Sequence, residues 1–151
     1  MSTTWSAADA VKQFFDDEFN DGDMVSHDWI LYALDLPQVR TREDSLRLLN
    51  RMDSFRNALL EDHQIALASV QGKGYRVVPP DEQAEYAART AADLIAKGLK
   101  KGSRLLEHTR VDALTDDEKR RHTDTEIRMA SLKGMAMKGR RDMFKLFKPA
   151  E

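Results

Sequence analysis

The hydrophobic period changes from helical to alternating midway along this chain, and that change limits what it can fold into. Leu48, Met52, Phe55 and Leu59 recur at i, i+4, i+7 and i+11, one face of a helix from about Arg42 to Asp62. A few residues later the period is two. Ile65, Leu67 and Ser69 alternate with Ala66, Ala68 and Val70, the pattern of a short half-buried strand. Gly72-Lys73-Gly74 then makes a turn with two residues free to take positive φ. Tyr75, Arg76, Val77 and Val78 form a return strand, closed by Pro79-Pro80. A long helix feeding a tight β-hairpin fixes the centre of the first half of the chain.

Two shorter helices precede it. Ser6 with Asp9 three residues later is a capping start, with Trp5 placed to pack back as a staple. Val11, Phe14, Phe15 and Phe19 follow at helical spacing, giving a helix from about Ala7 to Phe19. Asn20-Asp21-Gly22-Asp23 turns the chain. Ser26 caps a second helix with Trp29, Ile30, Ala33 and Leu34 inward, which Pro37 ends. Thr41 and Asp44 open the third. Three helices followed by a hairpin is the order of a winged helix-turn-helix. The expected fold is therefore mainly α with a small β-hairpin, in a first domain over residues 1–80.

Residues 81–151 read as a helical extension. A helix from Asp81 carries Ala87, Ala91, Leu94, Ile95 and Leu99, and Gly98 and Gly102 mark where it bends or frays. Its alanines suit close helix–helix approach. Leu105, Leu106, Val111 and Leu114 anchor a connector, and Thr115 with Glu118 forms a capping box. A last helix from about Asp116 to Lys138 places Ile127, Ala130, Gly134 and Met137 on one stripe, before a basic tail. The expected result is a C-terminal helical hairpin. Its apolar stripe either joins two copies of the chain or packs on the first domain.

Charge is split along the chain. The 151 residues carry a net −2, but residues 1–96 hold 9 Lys/Arg and 17 Asp/Glu, and residues 97–151 hold 15 and 9. Such a split means a basic arm for nucleic acid, two halves that attract, or a solvated face with an uneven count. No apolar run reaches the roughly 20 residues needed to span a bilayer, and the N-terminus lacks the apolar core of a signal peptide. A cytoplasmic location is expected, with no membrane partner. The absence of cysteine removes disulfides, cysteine-based zinc sites and thiol catalysis.

The strings Gly22-Asp23-Met24-Val25-Ser26-His27-Asp28-Trp29-Ile30-Leu31-Tyr32-Ala33, Phe55-Arg56-Asn57-Ala58-Leu59 and Val70-Gln71-Gly72-Lys73-Gly74-Tyr75-Arg76-Val77 resemble, in order and rough spacing, the DNA-binding effector domains of two-component response regulators. They look like that family's second helix, the end of its recognition helix and its wing. The resemblance covers residues 22–78. It implies a winged helix-turn-helix that binds duplex DNA, with the third helix in the major groove and the hairpin on phosphate or the minor groove. Ala58 stands where the family usually carries lysine, and Gln71 where it often carries arginine. No receiver domain is expected beside the module. A transcriptional regulator, or a phage or plasmid accessory factor, is the implied role.

The DNA-binding candidates are Arg40, Arg42, Arg47 and Arg51 on the third helix and its approach, with Asn50 and Ser54 beside them. Arginine reads guanine in bidentate fashion and asparagine reads adenine. Lys73 and Arg76 would hold phosphate, as would Lys97, Lys100, Lys101 and Arg104 in the extension, or a second cluster at Lys138, Arg140, Arg141, Lys145 and Lys148. Arg56 lies nearer the buried stripe and is suited to an acidic partner. Residues 21–80 hold 7 Lys/Arg against 9 Asp/Glu, so Asp44, Asp53, Glu61 and Asp62 are expected to pair with several arginines. That acidity motivates an alternative: a protein-interaction module that grips a partner protein without DNA.

Catalysis is not expected. Asp16-Asp17-Glu18 are neighbours that point apart, a solvated face. His27, His63, His108 and His122 lack ligand spacing, so no metal or other cofactor is implied. Gly72-Lys73-Gly74 is too short for a phosphate loop. Met129, Met135 and Met137 read as helix packing.

Overall fold

The structure is a computed structural model that describes residues 4–146, and side chains as far as residue 138. Phe147 and Lys148 of the basic tail, and the side chains of Arg140, Arg141 and Lys145, lie outside the described residues. The chain is mainly helical with one small antiparallel sheet, and divides into two compact units, Met1–Gln83 and Ala84–Glu151.

In the first unit, helix α1 spans Ala7–Asp16 and starts on the Ser6/Asp9 capping box. It stops before Phe19 because Glu18 turns left-handed at φ 56°. Phe19 still reaches the core, stacked on Phe14 at 5.1 Å. Strand β1, Met24–Ser26, was not expected from sequence. The turn before it is held by Asn20 N–H donating to the Asp23 carboxylate at 2.8 Å, with Gly22 at φ 86°. Its middle residue, Val25, is fully buried. Ser26 ends the strand and its Oγ caps α2, His27–Ala33, by accepting from the Trp29 N–H at 3.1 Å. Helix α2 ends at Leu34, where Asp35 takes φ 55°, so the stop comes two residues ahead of Pro37.

Helix α3, Arg42–His63, begins on the Thr41/Asp44 capping box and ends where Gln64 turns left-handed. Its Met52, Phe55 and Leu59 are buried and Leu48 packs against them, so one face closes the core. Removing side chains of this size from water stabilises by about 1.5–3 kcal/mol each. Phe14, Trp29 and Phe55 meet in edge-on and tilted contacts there, with centroids 6.0–6.3 Å apart.

Strands β2, Leu67–Val70, and β3, Gly74–Val77, form the hairpin, with Leu67 opposite Val77 and Val70 opposite Gly74. The sheet is three-stranded, order β1-β3-β2, and not the two-stranded hairpin expected. β1 pairs with β3 through Met24–Arg76, Val25–Tyr75 and Ser26–Gly74. Gly74, at φ 130°, sits so close to β1 that a Cβ would collide with the Val25 carbonyl oxygen.

The first unit ends in a 3₁₀ turn, Pro80–Glu82, and the second is built on α4, Gln83–Glu107. This helix runs unbroken through Gly98 and Gly102 and takes in Leu105 and Leu106. A 3₁₀ turn at Val111–Ala113 connects it to α5, Asp116–Leu146. Thr115 and Glu118 make the capping box as expected, at 3.0 and 3.3 Å. The two helices meet where His122 Nε2 lies 3.1 Å from the Leu106 carbonyl oxygen and where Met129 fills the space over Gly102. Residues shielded from water recur every seven, Ala92, Leu99 and Leu106 on α4 and His122, Met129 and Ala136 on α5. The expected α5 stripe differs: Ile127, Ala130, Gly134 and Met137 are all exposed.

Candidate nucleic-acid interface on the third helix

The core takes the Met52–Phe55–Leu59 side of α3, so the opposite side is left open. It carries Arg42, Glu43, Leu46, Arg47, Leu49, Asn50, Asp53, Ser54 and Asn57, all exposed. Asn57 was not anticipated, though it lies one heptad after Asn50 and so shares its direction. Leu46 and Leu49, 52% and 61% exposed, were also missed. Their helical phase away from the core stripe was the available signal.

The expected arginines divide into two groups. Arg51 is half-buried and turned inward. Its Nη1 donates to the Leu34 carbonyl at 2.7 Å and the Asp35 carbonyl at 3.4 Å, and its guanidinium lies 5.1 Å over the Trp5 ring. Trp5 in turn donates its indole N–H to the Ala33 carbonyl at 3.0 Å. Arg51 thus satisfies carbonyls at the end of α2 and locks α3 to it. Arg56 does the same for the sheet, donating to the Leu67 carbonyl at 2.7 Å with its guanidinium 5.4 Å over the Tyr75 ring. Arg76 pairs with Glu82 at 2.8 Å.

Arg40, Arg42, Arg47 and Lys73 form the second group. All are exposed, and no ion pair holds them among the described residues. The carboxylates expected to neutralise them are used otherwise or stand apart. Asp44 accepts from the backbone N–H groups of Arg40 and Thr41, both at 3.2 Å. These bonds, then the Thr41 hydroxyl and the charge of Arg47, hold the Asp44 carboxyl below its ordinary range. Asp53, Glu61 and Asp62 take no arginine partner among the described residues. Asp17 is likewise lowered, first by the Trp29 indole N–H at 2.7 Å and then by Gln13 at 2.9 Å.

The open side of α3 therefore offers two arginines, two asparagines and a serine beside Glu43, Asp53 and two leucines. Lys73 stands alone at the β2–β3 turn, where its N–H closes the turn onto the Val70 carbonyl at 3.1 Å. Lys97, Lys100, Lys101 and Arg104 belong to the other unit, exposed on one face of α4 at i, i+3, i+4 and i+7. Among the described residues no His, Asp and Glu side chains converge as a metal-binding group, and no helix is long and apolar enough to cross a membrane. The chain matches no family model, no curated protein and no solved structure.

Proposed function

We propose that the Met1–Gln83 unit is a winged helix-turn-helix module that binds duplex DNA, as do the response-regulator effector domains its sequence resembles. The observation that carries this reading is the element order α1-β1-α2-α3-β2-β3, with the outward side of α3 left unpacked and its polar and basic residues unpaired. In this reading α2 and α3 are the helix-turn-helix pair, and α3 enters the major groove by its N-terminal half. Asn50 is set to take adenine in bidentate fashion and Arg47 guanine or phosphate, each good bidentate pair adding about 1–3 kcal/mol of discrimination. Arg40 and Arg42 meet backbone phosphate at the helix start, and Lys73 meets it from the wing. Arg51, Arg56 and Arg76 hold the scaffold and leave the contact set.

A second reading rests on a different observation. Leu46 and Leu49 are exposed one turn apart beside Glu43 and Asp53. Exposed apolar side chains with carboxylates beside them suit an apolar segment of a partner protein that also carries basic residues.

Anisotropy of a labelled mixed-sequence duplex at low salt separates the two. The DNA reading expects binding that weakens by about tenfold or more when Arg42, Arg47 and Lys73 are changed together to alanine, and only slightly in Leu46→Ser/Leu49→Ser. No binding by the folded wild-type protein, or binding indifferent to the three cations, contradicts it.

A further inference from the structure

Residues 94–106 carry four cations and no carboxylate. Helix α4 runs through the whole stretch, so Lys97, Lys100, Lys101 and Arg104 keep fixed places on one face, over about 10 Å of axis. All four are exposed, and no ion pair or hydrogen bond holds their side chains among the described residues. The carboxylates of α4 lie outside the row. Glu85 pairs with Arg89 at 2.8 Å. Asp93, half-buried, stands one turn before Lys97. Glu107 lines the cleft shared with α5, beside Ser103, Glu126 and Lys133.

The row closes on a depression of about 490 Å³ lined by Lys101, Arg104, Leu105 and His108. No carboxylate lines it, and Leu105 is 68% exposed there. Stabilising the end of α4 does not account for the row. The helix dipole acts within the last turn, and Lys97 and Lys100 lie further in. The last carbonyls also have partners already. That of Arg104 accepts from the His108 N–H at 3.3 Å, and that of Leu105 from the Thr109 hydroxyl at 3.1 Å. That of Leu106 accepts from the Thr109 N–H at 3.3 Å and lies 3.1 Å from His122 Nε2. Like charges three and four residues apart work against the helix that carries them, and an anion laid along them removes that penalty.

We propose that this face of α4 is a nucleic-acid backbone contact in its own right, with one phosphate seated among Lys101, Arg104 and His108 and its neighbours along Lys97 and Lys100. Leu105 lies against the sugar. The length of the row matches about three phosphates of one strand, whose charges recur roughly every 3.4 Å of axis. A small anion would cover the depression and leave Lys97 and Lys100 bare. An anionic bilayer fits less well. Lys100 lies roughly 120° or more round the helix from the exposed Leu94, Ile95 and Leu105, so sinking those side chains into lipid turns Lys100 away from the surface. The contact meets phosphate and sugar and reads no bases. It does not rest on the α3 reading, because the row belongs to the other unit.

The test uses the full chain, with anisotropy of a labelled mixed-sequence duplex read across a salt series. Lys100→Gln/Lys101→Gln/Arg104→Gln keeps good helix formers at exposed positions, and circular dichroism checks that the helices remain. This variant is expected to bind about tenfold more weakly or worse at low salt, with a log–log slope shallower by about two to three. The same loss is expected when the changes are added to Arg42→Ala/Arg47→Ala/Lys73→Ala, so failure of the α3 contact and failure of the α4 contact are read separately. Arg replacements at Lys100 and Lys101 are expected to bind as wild type does. His108→Gln is expected to weaken binding several-fold, and Lys12→Gln, an exposed cation of α1, to leave it unchanged. Affinity and slope indifferent to the three glutamines, or an equal loss in Lys12→Gln, overturns the proposal. So does binding to vesicles of phosphatidylserine and phosphatidylcholine by a wild type that binds no duplex.

Discussion

Gly74 is the position at which β1 and β3 approach most tightly for a side chain to be added. Its φ of 130° and its contact with the Val25 carbonyl let β1 lie against β3. Gly74→Ala places a methyl group against that carbonyl in a conformation L residues avoid. A loss of about 2 kcal/mol or more is expected in urea unfolding, whereas Gly72→Ala, with nothing within 4 Å, costs only its backbone strain. Asp44 gives a pH prediction. Its folded pKa is depressed below the ordinary 3.8 by the Arg40 and Thr41 N–H groups. Its stabilising effect is therefore present above 3.8 and fades as pH falls through the lower folded value. Thermal unfolding of Asp44→Asn should show lower stability near neutrality and a shallower loss below pH 4 than wild type.

At the scale of elements, the legible parts are those decided by local chemistry. The Ser6, Thr41 and Thr115 starts need only a hydroxyl and an acid three residues on, and all three form. The α3 core stripe needs only phase. β1 was illegible because three residues are too few for a period-two signal, and its pairing with β3 spans some fifty residues of chain. The α5 stripe was misread for another reason. Apolar residues point several ways around that helix, and the seam includes His122, which hydrophobic periodicity passes over. Its Nδ1 lies 2.7 Å from Glu126 and its Nε2 3.1 Å from the Leu106 carbonyl. His122→Ala removes two contacts of about 0.5–1.5 kcal/mol each. Amide exchange in the first turns of α5 should accelerate, with exchange in α3 unchanged.

For the whole molecule, the site was legible as a list and not as an arrangement. Helical phase alone put Arg47, Asn50 and Ser54 outward. It did not reveal that Arg51 bends back to the end of α2 or that Arg76 meets Glu82, because both partners are supplied by the fold. The charge split likewise follows the two units: the acidic side chains lie mostly in the first, and the cationic row of α4 lies in the second. On the DNA reading, electrostatic contact in the first unit rests on four cations, Arg40, Arg42, Arg47 and Lys73. The most direct measurement is therefore the salt dependence of duplex binding by wild type, Arg47→Ala and Arg51→Lys. The account predicts a log–log slope that falls by about one in Arg47→Ala and is unchanged in Arg51→Lys. No measurable duplex binding, or a slope that responds to Arg51 and not to Arg47, would contradict it.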